Sequence, residues 1–139
     1  MQSFFEVSAG AVGGCQCGAV RYELRGRPAE LVVCHCKECQ RQSGSAFGMS
    51  LIVPSGSFRL LSGDLKFFTV VCDSGRIKTC AFCRDCGTRI YHSSNNTISV
   101  KPGTLDDTSS LRPTHHYWTK RKQPWVVIPD DACAIPDDG

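Results

Sequence analysis

Hydrophobic and polar positions alternate over short stretches of this chain, and turn residues divide them. Ala19-Val20-Arg21-Tyr22-Glu23-Leu24-Arg25 places Val20, Tyr22 and Leu24 on one face and Arg21, Glu23 and Arg25 on the other, which predicts a half-buried strand. Gly26-Arg27-Pro28 breaks it. Leu31-Val32-Val33 is a short apolar run that feeds directly into Cys34. Lys37 to Ser43 is polar and lacks strand formers, and Gly44 can close it, so one short helix is expected there. Strands are then expected over Phe47 to Val53, Phe58 to Leu61, Leu65 to Val71 and Ile77 to Phe82, with turns at Ser62-Gly63-Asp64 and Asp73-Ser74-Gly75. Arg89 to His92 and Thr97 to Lys101 read as a further pair around Ser94-Asn95-Asn96. Leu111 to Thr119 reads as loop, and Trp125-Val126-Val127-Ile128 as a last strand closed by Pro129. Many short strands with one or two short helices predict a mainly β fold of antiparallel sheets. The domain is expected over residues 11–129, with a lead-in at 1–10 and a loose acidic tail at 130–139.

Composition changes this picture at one point only. The length of 139 residues suits a single domain, and the net charge of +3 is too small to argue for nucleic acid. The one dense basic run, Lys120-Arg121-Lys122, is shorter than a typical basic patch of about 5–8 residues and reads as a solvated turn. No apolar run approaches the roughly 18 residues of a membrane span. No signal peptide is evident at Met1 to Val12, so the cytoplasm is the expected setting. Ten cysteines are the exception to this ordinary composition. Without a secretion signal, their clustered spacing favours metal over disulfides.

Cys34-His35-Cys36-Lys37-Glu38-Cys39 holds three thiols spaced C-x-C-x-x-C. Cys34 and Cys36 are too close in sequence for an unstrained disulfide. Three thiolates can instead converge on one Zn²⁺ at roughly 2.3 Å and leave a fourth tetrahedral position open, as in catalytic zinc sites. The N-terminal amides of the expected helix would favour negative charge on these sulfurs. Gly14-Cys15-Gln16-Cys17-Gly18 and Cys83-Arg84-Asp85-Cys86-Gly87 supply two further pairs, each beside glycines that permit tight turns. Together they would make a closed site of four thiolates, with a closing loop of 83 − 17 = 66 residues and a structural role. Two other groupings remain open on spacing alone: Cys34 and Cys36 with Cys83 and Cys86, or a pair Cys80-x-x-Cys83. Cys72, Cys80 and Cys133 otherwise read as small buried hydrophobes. His35, between two ligands, is expected as a hydrogen-bonding neighbour. His92 reads as a satisfied polar residue. One of His115 and His116 could act as an acid or base near Trp118. Arg41 could meet a substrate carboxylate or simply be solvated.

Three motifs now stand out together: Gly14-Cys15-Gln16-Cys17-Gly18, Cys34 through Ser45, and Phe82-Cys83-Arg84-Asp85-Cys86-Gly87-Thr88. With Pro113-Thr114-His115-His116 and Trp125-Val126, they make residues 11–129 resemble the glutathione-dependent formaldehyde-activating enzyme family, whose domain also occurs in centromere protein V. The resemblance implies a β-tent-like fold, a structural zinc on Cys15, Cys17, Cys83 and Cys86, and a looser zinc on Cys34, Cys36 and Cys39. It carries the family's histidine onto His116. It also implies a carbon–sulfur lyase activity, the reversible joining of formaldehyde to glutathione to give S-hydroxymethylglutathione. The alternatives are a related zinc enzyme acting on another small thiol or electrophile, and a zinc-stabilised binding module without chemistry. Oligomeric state is left open.

Overall fold

The computed structural model describes residues 4–6, 11–25, 28–72 and 75–139. Gly26-Arg27 and Asp73-Ser74, parts of a predicted break and a predicted turn, lie outside the described residues, as does most of the lead-in.

Among the described residues, twelve strands run in chain order as β1 (Phe4–Glu6), β2 (Ala11–Gly14), β3 (Arg21–Leu24), β4 (Pro28–Cys34), β5 (Gly48–Pro54), β6 (Phe58–Ser62), β7 (Leu65–Val71), β8 (Ile77–Cys83), β9 (Arg89–Ser94), β10 (Thr97–Val100), β11 (His115–Tyr117) and β12 (Cys133–Ala134). The single α-helix among the described residues, α1, spans Lys37–Ser43 and follows β4. Cys36 caps its start: extended at φ −64°, it accepts the Cys39 amide on its sulfur at 3.4 Å. Gly44 closes the helix in the left-handed region at φ 63°, and its N–H donates to the Arg41 and Gln40 carbonyls. The polar stretch and its glycine therefore behave as the sequence predicts.

The strands form two sheets. The larger runs β12-β11-β4-β5-β10-β9-β8-β7, with β1 added on β4, and the smaller runs β2-β3-β6. β1 and β11 share the same edge of β4, β1 along residues 28–30 and β11 along residues 32–34. Between the sheets lies the core. Val20, Tyr22 and Leu24 enter it from the small sheet; Leu31, Leu51, Val53, Ile90, Ile98 and Val100 enter from the large one. The alternation read for residues 19–25 is borne out, with Val20, Tyr22 and Leu24 fully buried and Arg25 exposed. Cys15 and Cys83 sit at the rim of the same cluster.

The fold class is mainly β, as expected, and four local expectations are corrected. β11 pairs in parallel with β4 and with β12, so the large sheet is mixed rather than purely antiparallel. That strand also arises inside the supposed loop of residues 111–119. Residues 125–128 make no strand: Pro124 and Pro129 remove backbone donors on either side, and Trp125 and Val127 are exposed while only Val126 is buried. The tail is docked rather than loose. The Cys133 and Ile135 amides donate to the Thr114 and His116 carbonyls, both at 2.8 Å, and the Trp118 amide to that of Asp137 at 3.1 Å. Its acids find local partners, Asp131 on Arg112 and Asp138 on the Trp118 indole N–H, so they do not repel one another into solvent. Lys120-Arg121-Lys122 lies in a short turn, with the Lys120 ammonium 4.8 Å from the Trp118 ring centroid.

Candidate metal centres and their surroundings

The loop between β2 and β3 carries Cys15 and Cys17, while Cys83 ends β8 and Cys86 lies in the loop that leads to β9. Both loops close in the same way. The Cys15 amide donates to the Val20 carbonyl at 3.1 Å and the Cys83 amide to the Thr88 carbonyl at 2.9 Å, each five residues on. Gly87, at φ 80°, makes the turn that an L side chain rarely adopts. Amides then aim at sulfur: Val20 N–H at Cys15 Sγ (3.2 Å), and Asp85 and Cys86 N–H at Cys83 Sγ (3.3 and 3.4 Å). Such donors stabilise thiolates.

The two loops meet. Cys17 Sγ lies 3.8 Å from Cys83 Sγ and 3.6 Å from Cys15 Sγ. Four sulfurs around zinc at about 2.3 Å stand roughly 3.8 Å apart, so these separations suit a tetrahedral ion. Thr88 ties the pair of loops together, accepting the Gln16 amide at 3.1 Å with its hydroxyl 3.2 Å from Cys86 Sγ. Through its hydroxyl and its backbone, Thr88 brings the Cys86 thiol down to about 5. The Ala19 amide would lower Cys17, but the sulfurs of Cys15 and Cys86 outweigh it and push that thiol up to about 12. Burial opposes ionisation of Cys15, yet the Val20 amide and the neighbouring thiols bring it below its usual value. Crowded sulfurs that divide protons so unevenly are suited to exchange them for a divalent cation.

The second group stands where β4 runs into α1. Cys34 ends the strand, Cys36 caps the helix and Cys39 sits in its first turn. All three sulfurs lie within 4.8 Å of one another, and no fourth Cys, His, Asp or Glu joins them among the described residues. The Cys34 and Cys39 thiols stabilise a thiolate on Cys36 and lower it to about 2. In exchange the Cys34 thiol is pushed up, by Cys36 first, then Cys39 and burial. Cys34 would lower Cys39, but Cys36 and burial outweigh it and raise that thiol. The donor chemistry of both groups suits zinc, and each could hold one ion.

His35, flanked by two cysteines of the trio, turns away from it. Its ring is fully buried and stacks on His116, with centroids 5.3 Å apart, and on the edge of Phe47 at 5.4 Å. His35 Nε2 and His116 Nδ1 are 3.0 Å apart. Burial lowers the pKa of both rings, so the contact joins two neutral imidazoles. His35 Nδ1 has no partner among the described residues. The backbone fixes this placement: the His35 amide donates to the Tyr117 carbonyl at 2.9 Å, and the His35 carbonyl accepts Gln40 Nε2 at 2.9 Å. Gln40 Nε2 also reaches the Arg121 carbonyl at 3.0 Å, pinning α1 to the turn after β11. His116 in turn faces a cavity of ≈ 440 Å³ lined by Leu111, Arg112, Pro129 and Asp131 among others.

The remaining candidates separate. Cys80 is buried as expected, but Cys72 is half-buried and Cys133 is exposed. Arg41 is exposed beside an open groove with Lys37, Gln123 and Trp125. His115 stands beside its neighbour, with Nδ1 3.1 Å from the Thr114 hydroxyl. The sequence reading did not foresee that Thr88 bridges the loops, that Gln40 anchors the helix, or that His35 and His116 pair. A threonine directly after the Cys-x-x-Cys-Gly turn was the available signal for the first; the others follow from strand pairing alone.

Two comparisons bear on this arrangement. A Rhodobacter sphaeroides protein of known crystal structure aligns with a TM-score of 0.56 at 23% identity, over 73% of this chain and 91% of that one, which supports the fold. The family model described as glutathione-dependent formaldehyde-activating enzyme matches residues 10–121, a span holding both cysteine groups and the histidine pair. With most of its length covered by that match, the chain belongs to the glutathione-dependent formaldehyde-activating enzyme family.

Proposed function

We propose that this chain is a zinc-dependent carbon–sulfur lyase-type enzyme that joins glutathione reversibly to formaldehyde, giving S-hydroxymethylglutathione. Its catalytic unit is taken as residues 11–129, in a reducing compartment such as the cytoplasm where the thiols stay free. The carrying observation is the incomplete sulfur set: Cys34, Cys36 and Cys39 converge, and His35 is held away from them by His116. Cys15, Cys17, Cys83 and Cys86 are assigned to a closed structural ion, and the trio to an open one.

Bound to the trio, zinc supplies positive charge that lowers the pKa of an incoming thiol. The thiolate is the nucleophile. Its sulfur attacks the formaldehyde carbon, a carbon–sulfur bond forms, and the carbonyl π pair moves onto oxygen. The oxygen takes one proton, matching the one the thiol gave up. His116 is assigned to that proton. With the shared hydrogen of the histidine pair on His116 Nδ1, the His116 Nε2 is free to take the thiol's proton and return it to the oxygen.

The test is exchange of glutathione and formaldehyde with their adduct, followed by NMR on protein purified without chelator. Elemental analysis should give a zinc-to-protein ratio near two for the wild type and near one for Cys36→Ser, which should also lose the acceleration. His116→Gln should keep both ions and slow exchange by about a hundredfold. A wild-type rate equal to the protein-free rate, with two zinc ions present, would sink this reading and leave a zinc enzyme for another small thiol or electrophile, or a binding module without chemistry.

A further inference from the structure

The strand register gathers positive charge on one face of the large sheet. Cys80 stands opposite His92, and Ser99 opposite His92 on the other side. Lys78 lies two residues before Cys80, and Lys101 two after Ser99, so both project on that face; Arg89 joins it opposite Phe82. α1 covers the same region. A small cavity of ≈ 60 Å³ is lined by Cys39, Lys78, Arg89 and His92. A larger one of ≈ 350 Å³ is lined by Arg89, Lys101 and Gly103. Arg89 and Gln42 border both, so the two cavities are neighbours, with Cys39 on the wall of the smaller one.

Among the described residues, none of these cations is paired with a carboxylate. The ion pairs among the described residues involve Arg21, Arg25, Arg59, Arg84 and Arg112, and none of Lys78, Arg89 and Lys101. Glu38 lines the small cavity without pairing with them. The Lys101 ammonium has one long contact, to the Met49 carbonyl at 3.5 Å, and burial depresses its pKa. His92 reports the same field. Burial first, and then the charges of Lys101, Lys78, Arg76 and Arg89, lower it to about 3. Part of this charge offsets the trio: three thiolates and one Zn²⁺ sum to about −1, whereas Lys78, Arg89 and Lys101 sum to +3. With Glu38 on the wall of the small cavity counted as well, about one positive charge remains in a partly desolvated place, where unpaired charge is costly.

We propose that Lys78, Arg89 and Lys101 form a carboxylate subsite beside the Cys39 side of the three-cysteine group, so that the thiol accepted there is an anionic one. The proposal rests on the reading that the trio receives a thiol. Glutathione, with two carboxylates, is of the required class; a neutral thiol is not. Charge-assisted contacts from a guanidinium and two ammonium groups would hold the carboxylate and orient the sulfur toward the trio.

The probes are S-methylglutathione, which keeps both carboxylates but has no free thiol, and its dimethyl ester, which keeps the shape without the charge. Calorimetric titration of the zinc-loaded full chain should show the acid binding at least about tenfold tighter than the ester, with the advantage shrinking as salt rises. Arg89→Gln and Lys101→Gln should each weaken the acid by about tenfold and bring the two probes level, whereas Arg59→Gln, paired with Glu23 on the small sheet, should change neither. Equal affinity of acid and ester for the wild type, no binding of either, or variants that keep the preference would overturn the subsite. The wild-type comparison decides even if one variant fails to fold. Charge preference without catalysed exchange would count against the lyase reading alone. Exchange that is equally fast with glutathione and its ester would count against the subsite alone.

Discussion

At the scale of single residues, His92 is the clearest case of a side chain whose chemistry is set by its surroundings. An imidazole titrates near pH 6.5 when free. Here burial, then four nearby cations, bring it to about 3. The sign follows directly. Between about pH 3 and 6.5 the unfolded chain binds this proton and the folded chain does not, so this group's contribution is present above the unfolded pKa and is lost as pH falls through that window. The ring protons of His92 should therefore show no titration by NMR from pH 7 to 5. A midpoint near 6.5 would mean that the ring is solvated and the field over it weak.

At the scale of elements, α1 depends on its two caps. Cys36 opens it with a sulfur in the role usually filled by a serine or aspartate oxygen, which joins helix initiation to the placement of the three-cysteine group. Gly44 closes it in the left-handed region, where a Cβ would meet nothing within 4 Å. Gly44→Ala should thus cost about 1 kcal/mol through conformation alone. That corresponds to a fall of about 3 °C in Tm for a chain of this size, read by thermal denaturation of the zinc-loaded protein. Gly56→Ala is the matched control. A Cβ there also meets nothing within 4 Å and no positive φ is involved, so stability should stay within about 0.5 kcal/mol.

At the scale of the whole molecule, the two sheets are held together twice: by the shared core and by the loops bearing Cys15, Cys17, Cys83 and Cys86. The docked tail completes the other end of the large sheet. β12 covers β11, and β11 carries His116 onto β4. Deleting residues 130–139 should uncover β11, speed amide exchange at Trp118, whose N–H is held by the Asp137 carbonyl, and lower the melting temperature by several degrees. Unchanged exchange at Trp118 would show that β11 holds without its outer neighbour. No helix among the described residues is long and apolar enough to cross a membrane.

Local spacing carries much of this protein. Three thiols within six residues converge whatever the rest of the chain does, because a strand end, a cap and a first helical turn bring them together. Cys83-x-x-Cys86-Gly87 likewise makes its own turn, and alternation at Val20, Tyr22 and Leu24 places the small sheet's inner face. Fold class, the short helix and the two cysteine groups were legible for that reason. What the tertiary structure decided lies in pairings between distant segments. His35 and His116 stand 81 residues apart and meet only because β11 lies parallel to β4. Lys78, Arg89 and Lys101 become one cluster through the register of β8, β9 and β10. The tail is ordered because an open strand edge offers unpaired amides and carbonyls. Ladder register depends on both partners at once, and no pattern within a single stretch encodes it.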